Sequence, residues 1–417
     1  MQTFGQEIAR SDCTAVSSEQ CDKPEAHDNT SHTPQGSPLS SLVTNTVSEI
    51  LARLGISLLA STYQAGNVVI LRCESPQVLN THFRRFPRPM GLAADPATGR
   101  LALGTDREIV EFRNMAAVSS RLEPPEQHDA CYLPRRSHIT GNIDIHEMAW
   151  GKNERSEDDD QGSRGKNPIS DGGGHPLNGS NLWFVNTRFS CLCTLGDEHS
   201  FVPRWWPPFI SSLGLEDRCH LNGLAMVEGW PRFVTALGDT DTPAGWRNNK
   251  ARGGVLIDVE SGETIAGGLS MPHSPRWRDG RLWLLESGDG SLGTVELASG
   301  RYDPIVKLDG FTRGLAFCGP FAFIGLSQVR ESATFSGIAL VDRIDQRKCG
   351  VAIVDLRSGQ QVGFVHFQDA VQEIFAVELL PHRFPDLLEP ADELVGNSYA
   401  LPPAALTHAG AAPLPEA

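Results

Sequence analysis

From Ile56 onward, apolar and polar residues alternate with a period of two, the spacing of strands with one buried face. Ile56–Tyr63, Asn67–Cys73 and Val78–Phe86 read as three strands, divided by Gln-Ala-Gly and Glu-Ser-Pro turns. Arg100–Gly104 and Glu108–Asn114 continue the sheet, and strand signals run almost without a break from Leu182 to Leu380. Ahead of the alternation, Val43, Val47, Ile50, Leu51 and Leu54 recur at helical spacing. Gly55 then stands where a left-handed helix stop belongs, so one amphipathic helix is expected over Leu39–Leu54.

One phrase recurs along the strands. Cys219-His220-Leu221-Asn222-Gly223-Leu224-Ala225-Met226 is its fullest form. Looser copies are Pro89–Ala93, Ile145–Ala149, Pro272–Trp277, Thr312–Ala316 and Gln372–Ala376. Aligned on Gly-Leu-Ala, the residue before the glycine is Met90, His146, Asn222, His273, Arg313 and Glu373 in turn. A second phrase is an alternating strand ending in Ser-Gly, at Val255–Gly262, Gly293–Gly300 and Ala352–Gly359. Repeats of roughly 40–60 residues with four strands each suit propeller blades. Three N-terminal strands lack an innermost partner, and the last copy, Val371–Leu380, lacks its outer three strands. Together they make one blade. The expected fold is all-β: a six-bladed β-propeller closed by N- and C-terminal strands in one blade, with one short N-terminal helix.

Composition supports many short strands and turns, with Gly 41 and Pro 28 in 417 residues. Residues 1–38 are polar and rich in Ser, Thr, Pro, Asp and Glu, and read as a disordered tail. Residues 153–180 read as a disordered insertion that splits a hairpin between Glu147–Trp150 and Leu182–Asn186. Residues 386–417 read as a C-terminal tail, which leaves 39–385 for the propeller. The net charge of −15 argues against nucleic-acid or anionic-membrane surfaces. No apolar run approaches a membrane span, and no basic segment followed by an apolar run suggests a signal peptide. The nine cysteines show no paired metal spacing; Cys191-Leu192-Cys193 reads as two core thiols. A cytoplasmic setting is expected.

In a propeller the innermost strands line the axis, so the aligned column places two His, an Asn, an Arg, a Glu and a Met around the channel. His220 lies two residues before Asn222 and is expected one layer higher. His146, His220, His273 and Glu373 form a candidate set of ligands for a divalent transition metal, Fe, Cu or Zn, with one position left open. Arg313 and Asn222 are candidate catalytic residues. Arg313 could instead neutralise Glu373 and remove the need for a metal. Asp239, Asp241, Trp246, Arg247 and Asn248 sit in a long loop expected at the same face, with Glu286 and Arg330 in equivalent loops; these are candidate substrate-binding residues. Glu147 is expected to point off the channel into its blade.

The segments His220–Met226, Ala236–Asp258, Leu269–Glu286 and Phe311–Arg330 carry a resemblance to a bacterial family of conserved hypothetical proteins with a predicted six-bladed propeller. It spans roughly residues 50 to 385 and implies the fold, with no activity attached. More loosely, the architecture is similar to that of calcium-dependent lactonases and gluconolactonases. These hold their metal with carboxylate and Asn oxygens, whereas this chain offers imidazoles beside Asn222 and Glu373.

The expectation is a metalloenzyme acting on a polar or anionic small molecule or peptide by hydrolysis or oxidation. The alternative is a non-catalytic propeller that grips a peptide, sugar or protein on its polar face.

Overall fold

Six sheets of four or five strands, each with an innermost strand at one edge, follow one another around the chain, and their four blade strands pair antiparallel. The computed structural model describes residues 39–152, 180–328 and 337–406. The N-terminal tail, all but the last residue of the 153–180 insertion, and Arg330 fall outside them. Blade I takes Ser57–Ser61, Asn67–Ser75 and Val78–Arg85 from the N-terminal side, and its innermost strand, Ala376–Leu380, from the C-terminal side. That closure pairs Ser57 with Leu380 and Ser61 with Ala376. Blades II to VI begin at Leu92–Asp95, Ile145–Lys152, Leu221–Val227, Pro272–Arg278 and Phe311–Cys318. The protein is a six-bladed β-propeller. In blade III, Lys152 pairs with Ser180, so the hairpin flanking the insertion is intact.

The two recurring phrases have physical causes. In the inner strands the glycine is where the next blade comes closest. A Cβ on Gly91 would stand 2.1 Å from the His146 carbonyl oxygen, and one on Gly223 2.3 Å from Pro275 Cδ. On Gly314 it would stand 2.6 Å from the Val377 nitrogen. Gly-Leu-Ala is therefore a contact between neighbouring blades as well as a strand. The glycines of the Ser-Gly phrase, Gly262, Gly300 and Gly359, have φ of 74°, 70° and 68°, the left-handed conformation that turns the third strand into the fourth.

Both ends of the described chain add strands that periodicity did not predict. Ser41–Val43 pairs antiparallel with Gln360–Phe367 at the rim of blade VI, and the helix begins only at Asn45. Thr44 fixes this switch: its amide donates to the Phe364 carbonyl at 3.1 Å, and its hydroxyl accepts from the Phe364 amide at 3.0 Å. The helix Asn45–Leu54 then buries Val47, Ile50 and Leu51 and ends at Gly55 with φ 68°. At the other end Pro385–Leu387 pairs in parallel with Ala130–Ile139 of blade II, so the sheet runs past residue 385. Asp386 clasps this strand. Arg84 donates to its two carboxylate oxygens at 3.0 and 2.7 Å, Arg72 stands 3.8 Å away, and His82 and His128 flank it. These contacts outweigh the desolvation of the carboxylate and hold its pKa far below the usual range.

No helix among the described residues is long and apolar enough to cross a membrane. The described cysteines are all free thiols, and Cys191 and Cys193 lie buried with their sulfurs 3.5 Å apart.

Candidate functional site

The register of the aligned column is visible in the backbone. Arg88, Asp144, His220 and Met271, each two residues before a column position, have φ of 45°, 51°, 52° and 50°. Four of the six inner strands thus enter through the same left-handed residue. His220 itself sits in this kink rather than in the strand, so simple alternation does not set its direction. The kink nevertheless turns its ring to within 5.0 Å of the His146 ring, nearly perpendicular to it.

A cavity of about 540 Å³ opens at this end of the channel. Of the residues expected at the site, His146, His220, His273, Arg313, Glu373, Trp246 and Arg247 line it. Asn222 lies below, against a small void shared with His146, His273 and Arg313. Its amide is engaged on both sides, donating to the Pro272 carbonyl at 3.1 Å and accepting from Thr235 at 2.6 Å. Asp239, Asp241, Asn248 and Glu286 do not line the cavity. Asp241 accepts from Arg218 at 2.6 Å and from the Ser211 amide at 3.1 Å, and these bonds hold its pKa down. Glu286 accepts from the Ser270 amide at 3.0 Å, and burial raises its pKa. Glu147 does point into the blades, where it pairs with Arg276 at 2.5 Å.

Hydrogen bonding fixes the tautomer of each imidazole. Thr187 gives its single hydroxyl proton to the Leu221 carbonyl, so at the 2.7 Å contact with His146 the ring Nδ1–H must donate. The Asp144 carbonyl, 3.1 Å from the same nitrogen, can only accept. Two blades on, Ser287 donates to the Thr312 carbonyl and accepts from His273 Nδ1 at 3.0 Å, with the Met271 carbonyl at 2.9 Å. His220 Nδ1 lies 2.9 and 3.0 Å from the two oxygens of Asp217. All three rings therefore carry a proton on Nδ1, which leaves Nε2 as the nitrogen not tied to the backbone or to a neighbouring side chain. His146 Nε2 is buried and has no hydrogen-bond partner among the described residues. Burial first, and then the Arg313 charge, push the pKa values of His146 and His273 well below the usual imidazole value, so both are neutral.

Arg313 and Glu373 meet at 3.1 Å, and the guanidinium lies 3.5 Å over the Phe375 ring. Burial lowers the Arg313 pKa and raises that of Glu373. Across the cavity the loop after Trp230–Ala236 is held by three successive residues. The Glu216 carbonyl accepts from the Ala244 amide, Asp217 accepts from the Trp246 indole at 3.0 Å, and Arg218 grips Asp241. Trp246 is 3% exposed and packs against Leu237, Met271 and Phe311.

Asp217 is the cavity-lining carboxylate that strand periodicity missed, because it sits in a turn with φ 47°. A carboxylate three positions before His220 was the available signal. Among the described residues no three His, Cys, Asp or Glu side chains stand in metal-holding geometry.

Residues 45–157 and 174–388 match the model of a "Domain of unknown function (DUF4915)". The chain belongs to the DUF4915 family. A search of the curated proteins finds no match. Among solved structures, one titled as a nidogen/laminin complex is similar at 10% identity and a TM-score of 0.46, covering 79% of this chain and 100% of that one. A protein of unknown function from Bacteroides caccae is similar at 10% identity and a TM-score of 0.45, covering 78% and 99%. Likenesses at this level say nothing of what this DUF4915 member binds.

Proposed function

We propose that the channel mouth is a small-molecule site for a polar ligand, and that His220 acts there as a general base in a hydrolysis. The observation that carries this reading is the Asp217–His220 pair: a carboxylate on Nδ1, an indole N–H on that carboxylate, and a ring that lines the cavity. A carboxylate so placed fixes the tautomer and supports the imidazolium that forms on proton uptake. In the step proposed, a water attacks the electrophilic centre of the ligand and passes its proton to His220 Nε2. The same nitrogen then returns the proton to the leaving group. Arg313, held by Glu373 and Phe375, would face the polar end of the bond being cleaved.

The test is labelling of the full chain with diethyl pyrocarbonate, read peptide by peptide by mass spectrometry. His220 should react fastest of the three cavity histidines, and Asp217→Asn should slow it at least tenfold while leaving the circular dichroism spectrum unchanged. Equal rates in the two proteins would remove the base.

A transition-metal centre on the same three Nε2 atoms is the second reading. What favours it is that each Nδ1 is already taken, as it is in metal-ligating histidines, and that His146 Nε2 is unpartnered. Three features stand against it, the first being that no three His, Cys, Asp or Glu side chains among the described residues stand in metal-holding geometry. Glu373 is occupied by Arg313, and the Arg313 charge, which adds to burial in keeping protons off His146 and His273, opposes a divalent cation as well. Metal analysis of protein purified without a nickel column decides between the two. Stoichiometric Zn, Fe or Cu that is lost in His146→Ala and His273→Ala would establish the metal centre.

A further inference from the structure

We infer that the ligand carries an anionic group, a carboxylate or a phosphate or sulfate monoester, and that Arg247 is its anchor. This rests on the reading that the channel mouth binds a small molecule. Arg247 belongs to the short turn Gly245–Asn249 and lines the cavity, with its guanidinium 4.5 Å from the Trp246 ring. It makes no ion pair among the described residues. It stays so in a chain where acidic residues outnumber basic ones by 51 to 36. Its neighbour Arg218 is engaged by both Glu216 and Asp241. The other cavity guanidinium, Arg313, is engaged by Glu373.

The platform under Arg247 is rigid. Trp246 is buried on one side and tied to Asp217 through its indole N–H, so the guanidinium has a fixed plane to lie against. A stacked guanidinium keeps its in-plane N–H groups free, and their fork matches a carboxylate or phosphate with two parallel bonds. The same indole also touches the His220 ring, at 4.5 Å. Anchor and base therefore share one side chain, which calls for a compact ligand whose anionic group lies close to the bond being cleaved. The rest of the ligand would meet apolar wall at Met90, Phe311 and Phe375.

The experiment uses the full chain and four probes of one size: benzoate, phenyl phosphate, phenyl sulfate and neutral benzamide. Binding is read by calorimetry, and protection of Arg247 from phenylglyoxal by peptide mass mapping. At least one anion should bind and protect Arg247, and which anion does so distinguishes carboxylate from phosphate and sulfate. Arg247→Ala should weaken that binding at least tenfold, and Arg247→Lys should restore only part of it. The anchor is overturned if Arg247→Ala binds the anion as the native chain does, or if benzamide binds as well as the anions. Failure of all four probes to bind would instead overturn the small-molecule pocket itself.

Discussion

Two places in this propeller gather the same residue types. The clasp at the C-terminal strand has His82, His128, Arg72, Arg84 and Asp386; the channel mouth has His146, His220, His273, Arg313 and Glu373. At the clasp, one carboxylate takes a two-pronged bond from Arg84 and a further one from the Leu387 amide. At the mouth, each imidazole has its Nδ1 tied, and the three rings line about 540 Å³ of open space. Composition alone does not separate a lock from a site. What separates them is that the clasp residues converge on one carboxylate, whereas the mouth residues line a cavity.

The comparison can be broken by mutation. Asp386→Ala should have the largest effect on stability, about 3–5 kcal/mol, because it leaves buried cationic groups without their partner. Denaturant unfolding would show this as a lower midpoint; a loss under about 1 kcal/mol would mean the clasp is not a lock. Gly223→Ala comes next, at about 1–3 kcal/mol, since its Cβ would meet Thr235 and Pro275.

The third test uses pH. His146 and His273 have folded pKa values below those of the unfolded chain, so below about pH 6.5 the unfolded state takes up protons that the folded state refuses. Stability should therefore fall as pH drops from 7 towards 5, by up to about 1.4 kcal/mol per pH unit for each ring. His146→Gln and His273→Asn should each flatten that slope in thermal unfolding curves; an unchanged slope would show that the rings are not neutral. The smallest effect is expected from Asp241→Asn, which loosens the loop without moving the global unfolding midpoint. Faster hydrogen exchange over residues 239–250 would be its signature.

Much of the architecture was legible in the sequence because the blades repeat one packing problem. Gly91, Gly223 and Gly314 stand where the next blade comes closest, so they recur and can be aligned. The alignment also placed His146, His273, Arg313 and Glu373 around one cavity. Ser41–Val43 and Pro385–Leu387 escaped notice because three residues are too few to show a period. Their pairing is decided by partners far away in the chain. The loop residues were only partly legible. Asp241 and Arg247 lie in the same polar stretch, yet Arg218 claims the former and leaves the latter for the cavity. No pattern within the loop encodes that choice.

The closure of blade I has a kinetic consequence. Its inner strand, Ala376–Leu380, lies more than 300 residues after Ser57–Ser61, the strand it pairs with, so the ring has the longest loop to close at its final step. Glu373, Phe375 and the Arg313 contacts that depend on them come on that same segment. During synthesis five blades can form while the mouth is still missing one wall. A nascent chain therefore holds its histidines without the pocket, and completes the cavity wall only when the circle shuts.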